Sequence, residues 1–199
     1  IEFGLKAQKI PKEQRKEILQ WVANLTQIED LMNRYPTEIS GGQKQRVALA
    51  RAMAVKPRLL LLDEPLSSID ATARESLALT IRRIQKETGT TTLYVTHNQE
   101  EARLIADRVA IMYDGKIQQI GKIIEVDNNP RNYLIAKIMG ATNVWPVFFY
   151  EEKRKNVIVD TPLGSFELPK KKPDKITGIQ IPPTQIKITQ QEVKDEDMK

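Results

Sequence analysis

The sequence predicts an α/β chain with parallel strands, followed by a small β-rich domain. Two apolar strand-length runs, RLLLLDEP and TTTLYVTH, alternate with amphipathic helical segments over the first two thirds of the chain. Such alternation is the pattern of βαβ units. Near Gly140 the composition shifts to short alternating segments, NVIVDT, GSFEL and ITGIQI, separated by Pro and Gly.

In chain order, residues 12–33 place Ile18, Leu19, Val22, Leu25, Ile28, Leu31 and Met32 at helical spacing. Pro36 breaks that pattern. A second helix is expected from Ser40 to Val55, packing through Val47, Leu49, Ala50, Met53 and Ala54 and ended by Pro57. RLLLLDEP then reads as a strand buried on both faces, as parallel sheets are. Residues 71–87 form an amphipathic helix with Gly89 as its stop. TTTLYVTH is a β-branched and aromatic strand. NQEEARLIA is helical, and RVAIMYDGKIQQIG is a hairpin turning at Asp114-Gly115. The closing residues QQEVKDEDMK read as a polar, disordered tail.

Composition narrows the function classes. The 199 residues carry 40% hydrophobic and 29% charged residues and no cysteine, as a globular domain without disulfides or thiolate metal sites does. No apolar run approaches the roughly 20 residues needed to cross a bilayer, so any membrane link runs through a partner. The N-terminus shows no signal-peptide pattern; it lacks methionine and opens on apolar residues, which reads as the cut end of a longer chain. The net charge of +5 comes from scattered lysines, and the densest cluster, Lys170-Lys171-Lys172, is not interleaved with aromatics. A nucleic-acid surface is not the expected reading.

The most informative stretch is PTEISGGQKQRVALAR. Ser40 and Gln43 form a capping-box pattern. That pattern does not require Gly41 and Gly42, each of which costs about 1 kcal/mol relative to alanine in a helix. Glycine there suits close approach to the backbone, and a helix N-terminus is an anion site. A phosphate could sit on the amides with the Ser40 hydroxyl as a further donor. Asp63 ends the first strand, where open α/β sheets hold their ligands, and a carboxylate there suits Mg²⁺ beside nucleotide phosphates. Glu64 is the next residue and can take a proton from an attacking water. His97, the single histidine, ends the second strand at the same sheet edge and can report on a γ-phosphate. Taken singly, each motif has a plain alternative: a helix cap, two solvated acids before Pro65, a structural histidine.

Taken together, ISGGQKQRVALARAMAVKPRLLLLDEPLSSIDA and TLYVTHNQEEA resemble the ATP-binding-cassette (ABC) ATPases. Ser40-Gly41-Gly42-Gln43 matches the family's signature motif, with Ile39 where leucine is usual. LLLLDEP matches the Walker B strand, Ser67 to Asp70 the D-loop, and His97 the switch histidine. The resemblance spans residues 1–140: a helical subdomain over about 5–55 and part of a parallel-sheet core over about 56–140. It implies ATP and Mg²⁺ as ligands and a sandwich dimer in which Ser40, Gly41, Gly42, Gln43 and Asp70 meet nucleotide held by a second ATPase subunit. It also implies Asp63 as the Mg²⁺ ligand, and Glu64 and His97 as the catalytic pair.

One departure is large. No G-x-x-x-x-G-K-[ST] occurs in these 199 residues, so this chain alone is expected to bind Mg-ATP weakly or not at all and to be inactive. Micromolar binding in a calorimetric titration would contradict that. The segment GKIIEVDNNPRNYLIAKIMGATN is similar to the junction in importers of the ferric-ion, polyamine, oxyanion and sugar groups. In that group a small OB-like module comes next, here expected over 141–190, with a polar tail over 191–199. The phrase TGIQIPPTQIKI departs from that module's usual acidic stretch. The resemblance thus implies an importer ATPase working as a homodimer on the cytoplasmic face of the membrane. It would be held there by permease subunits that touch residues 5–35 and would serve a substrate-binding protein indirectly. The alternatives are a soluble ABC-type ATPase acting on nucleic acid, and a non-enzymatic interaction fragment.

Overall fold

A computed structural model describes residues 1–169 and 176–181. The polar tail over 191–199, the triple lysine and the PPTQIKI phrase lie outside the described residues. The chain divides into two compact units, Ile1–Ala106 and Asp107–Lys199. Composition instead drew the line near Gly140. The hairpin before Gly140 falls in the second unit, where Gln119 Nε2 donates to the Asn129 carbonyl and Gln119 Oε1 accepts from the Arg131 amide.

The first unit is built around five α-helices and one parallel strand pair. A short helix α1 (Phe3–Ala7) precedes α2 (Lys12–Thr26). The spacing predicted α2 to continue to residue 33, but Gln27 takes the left-handed conformation at φ 57° and ends it. Ile28 and Leu31 still reach the core, from a loop and a 3-10 turn at Glu29–Leu31, so the apolar rhythm outlasts the helix. The α2 carbonyl end is held by cations, as helix dipoles favour. Arg83 Nη2 donates to the Leu25 carbonyl at 2.7 Å, and Arg46 Nη1 to the Thr26 carbonyl at 3.3 Å and Gln27 Oε1 at 2.7 Å.

Helix α3 (Gly41–Ala54) buries Leu49, Ala50, Met53 and Ala54, while Val47 is only partly covered. Strand β1 (Leu59–Asp63) pairs in parallel with β2 (Thr91–Val95), Leu61 opposite Leu93 and Asp63 opposite Val95. Helix α4 (Ala71–Thr88) makes the crossover between them, capped by Asp70 at its start and stopped by left-handed Gly89. Helix α5 (Gln99–Ile105) comes after β2, capped by Asn98. The core joins Val22, Ile28, Met53, Leu60, Leu66, Leu77, Ile81 and Ile84. Each such side chain contributes about 1.5–3 kcal/mol by leaving water.

The expectation that β1 is buried on both faces does not hold. Leu60 is buried against the helices, whereas Leu59, Leu61, Leu93 and Val95 are 50–64% exposed on the other face. Within this unit nothing packs over that face, although the side chains are those of a two-sided buried sheet.

In the second unit, β3 (Val109–Tyr113) and β4 (Lys116–Gly121) form the expected hairpin. Asp114 and Gly115 both have positive φ, as a type I′ turn requires. A bulge between Ile111 and Met112 was not visible in the residue pattern. Two short helices come next, α6 (Ile123–Asn128) and α7 (Tyr133–Ile138). The small β region pairs β5 (Val144–Pro146) with β9 (Gly178–Gln180), and β6 (Phe149–Glu152) with β7 (Asn156–Thr161) and β8 (Gly164–Pro169). Both small sheets share one cluster around Val157, Val159 and Ile179.

Candidate functional site

Every residue singled out as a site candidate lies in the first unit. They fall into three bonded groups.

The first group is the α3 start. Ser40 Oγ accepts from the Gln43 amide at 3.3 Å, and Gln43 Oε1 accepts from the Ser40 amide at 2.9 Å, so the capping box is formed. It uses Ser40 Oγ as an acceptor only, and a hydroxyl can donate as well as accept. Among the described residues nothing requires the glycines. A Cβ at Gly41 would meet nothing within 4 Å, and one at Gly42 would make only ordinary contact with Ala73 Cβ at 3.8 Å. Neither has positive φ. Packing and backbone conformation therefore permit alanine at both positions, and the helix gives up about 2 kcal/mol of intrinsic propensity over the pair. Gly41 is exposed, at an N-terminus whose amides favour anions.

The second group is the carboxyl end of the strand pair. Glu64 Oε1 and His97 Nδ1 lie 2.9 Å apart, the distance of a hydrogen bond in which the ring nitrogen donates. Both side chains are open to solvent, 45% for Glu64 and 75% for His97. The backbone makes the pair possible. Glu64 departs from strand geometry at φ 42°, a region non-glycine residues seldom adopt. Its amide donates to the Val95 carbonyl at 2.9 Å, and its carbonyl accepts from Ser67 Oγ at 3.0 Å. The turn thus swings Glu64 toward the strand that carries His97.

Asp63 is exposed at the last position of β1. Among the described residues no cluster of three or more His, Cys, Asp or Glu could hold a metal ion. A single carboxylate still fits Mg²⁺, which takes one or two carboxylates and completes its shell with water and substrate phosphates.

The third group is the loop from Ser67 to Asp70. Asp70 Oδ1 accepts from the Ala73 amide at 2.9 Å as the α4 cap. Sequence reasoning missed what lies beneath this loop. Glu101, 5% exposed, accepts from the Tyr94 hydroxyl at 2.8 Å and the Thr96 hydroxyl at 2.9 Å, and faces Arg74 at 3.7 Å. Loss of water and the bond to Glu101 push the Tyr94 phenol well above its ordinary pKa. The available signal was a glutamate at a core-facing position of α5, which the periodicity of NQEEARLIA does not single out.

Comparison with known proteins points to the family that the motifs resemble. Residues 5–67 match the family model described as ABC transporter. The chain is 47% identical over 144 residues to a Fe(3+) ions import ATP-binding protein of Fusobacterium nucleatum, covering 72% of this chain and 39% of the relative. It is 44% identical over 146 residues to a sulfate/thiosulfate import ATP-binding protein of Synechocystis, 73% of this chain and 41% of the relative. A spermidine/putrescine import ATP-binding protein of Marinobacter nauticus gives 44% identity over 146 residues, 73% and 39%. The chain thus spans about two fifths of the length of the curated relatives it matches.

Proposed function

We propose, from a chain that carries part of an ABC transporter ATPase domain, that this protein is the ATP-hydrolysing subunit of an importer. The observation that carries the chemistry is the Glu64–His97 contact at 2.9 Å, at the carboxyl end of two parallel strands. Glu64 would take the proton from the attacking water, a role worth about 10²–10⁴ in rate. His97 would orient Glu64 and meet the γ-phosphate. Asp63 would hold Mg²⁺.

The glycine pair at the α3 start supports the partnership. Its open amides and spare hydroxyl suit a phosphate carried by another chain, so Ser40, Gly41, Gly42 and Gln43 would complete the site of a second ATPase subunit, with Asp70 beside them. Among the described residues no helix is long and apolar enough to cross a membrane. The subunit would act at the cytoplasmic face through permease subunits, and a substrate-binding protein would deliver cargo to them. The three relatives carry ferric, sulfate or polyamine names at 44–47% identity, as a subunit that never touches cargo would allow.

The test is ATP turnover by the longest native form of the protein beside its Glu64→Gln copy. Turnover in the first and near-complete loss in the second are expected. Equal turnover in both removes Glu64 as the base. If neither turns over, ATP-dependent dimerisation of Glu64→Gln still supports the reading, and its absence removes it.

A further inference from the structure

Arg74 lies outside the motifs named above and Glu101 carries no role in them, yet the two lie between the Asp70 loop and His97. Arg74 Nη2 donates to the Ile69 carbonyl at 2.8 Å, and its Nε reaches the Leu66 carbonyl at 3.4 Å. Those carbonyls bracket Ser67 and Ser68 and lead directly into Asp70. The same guanidinium faces Glu101 Oε1 at 3.7 Å. The other oxygen, Oε2, receives the hydroxyls of Tyr94 and Thr96, the last residues before His97 but for Val95. Thr96 Oγ1 in turn accepts from the Asn98 amide at 2.9 Å, so the residues on both sides of His97 are tied in.

We infer that Arg74 and Glu101 are a positioning pair that fixes the Asp70 loop and the His97 strand end relative to each other, so that the two move as one body. The inference rests on the proposed roles of Asp70 and His97 for its meaning, but the linkage belongs to this chain alone. Charge and shape both favour it. Glu101 is buried, so its carboxylate needs every one of these partners. Arg74 serves two carbonyls and one carboxylate at once, which the planar fork of a guanidinium allows and a lysine ammonium does not match. A plain stabilising ion pair would need neither the loop carbonyls nor the hydroxyls next to the histidine.

The test perturbs one arm and reads the other, by NMR on the 199-residue chain. Its single histidine gives one set of imidazole signals. Arg74→Lys keeps the charge and strips the fork from the loop carbonyls. It is expected to shift the His97 ring signals and to speed exchange of the Asn98 amide roughly tenfold, although Arg74 bonds neither residue. Tyr94→Phe removes one hydroxyl on the far side of Glu101 and is expected to speed exchange of the Ile69 amide. If each variant disturbs only its own arm, the pair does not couple them and the inference fails. Both substitutions nearly keep the side-chain shape; Glu101→Gln, which keeps the shape and removes the charge, must loosen both arms together or the inference fails on that ground alone. A protein whose turnover depends on Glu64 but shows no cross-arm effect would sink this inference and leave the proposed function standing. Cross-arm effects in a protein that shows neither turnover nor ATP-dependent dimerisation of its Glu64→Gln copy would do the reverse.

Discussion

Glu64 and Glu101 are both held against the end of β2 and share a headgroup, but not an environment. Glu64 is open to water and touches His97. Glu101 is sealed and bonded to Tyr94 and Thr96, with Arg74 across from it. Under the proposed function the difference separates two tasks. A carboxylate that must exchange a proton needs solvent access and few fixed partners. One that must hold two loops in place needs fixed partners and no water. The fold places both within one short stretch of sheet edge by sending one acid out on a strained turn and drawing the other in from α5.

Substitutions at the two acids and their neighbours should bear out that contrast in unfolding measurements, with helical circular dichroism as the probe. Glu101→Ala strands the Arg74 charge and two hydroxyls and should cost about 3–5 kcal/mol. A loss under about 1 kcal/mol would show that water reaches the cluster. Tyr94→Phe removes one bond to a charged group and should cost about 1.5–3 kcal/mol. It should also alter the alkaline limb. The Tyr94 phenol is raised in the folded state, so its contribution is fully present below the ordinary value of 10.0 and is lost as pH rises above it. Stability of the parent chain should therefore fall more steeply above that pH than stability of Tyr94→Phe. Asp70→Ala removes the α4 cap bond and should cost about 1 kcal/mol. Glu64→Gln should change stability by no more than about 0.5 kcal/mol, since the side chain is half exposed. A large loss there would mean that the Glu64–His97 contact holds the fold together, and the contrast would collapse.

Much of this was legible in the residues. The α3 start and the α4 end come from Ser40 and Gly89, and the hairpin from Asp114-Gly115, because caps and turns are local chemistry. The Glu64–His97 meeting came from two strands ending at one sheet edge. What was not legible is tertiary. The α2 helix stops at a left-handed Gln27, a residue with no turn signature, while Ile28 keeps the apolar rhythm going. The grouping of the hairpin with the second unit leaves no trace in composition. Arg74 and Glu101 meet only in the fold, from two different helices, which no local pattern signals.

The open face of the strand pair carries the same lesson at larger scale. Leu59, Leu61, Leu93 and Val95 form an apolar patch, which in water is a driving force for self-association. Leu61→Lys should raise the concentration at which the chain aggregates, by light scattering, without a change in helical signal; an unchanged threshold would mean that the patch is not what limits solubility.

The backbone at Glu64 has a consequence for how the sequence can change. A left-handed residue with a Cβ costs roughly 1–2 kcal/mol, and glycine or asparagine occupies that basin more cheaply. A population of variants sorted only for thermal resistance should therefore drift away from glutamate at this position. One sorted for a working acid should keep it and accept the penalty. Position 64 thus offers a direct reading of which pressure a lineage has been under.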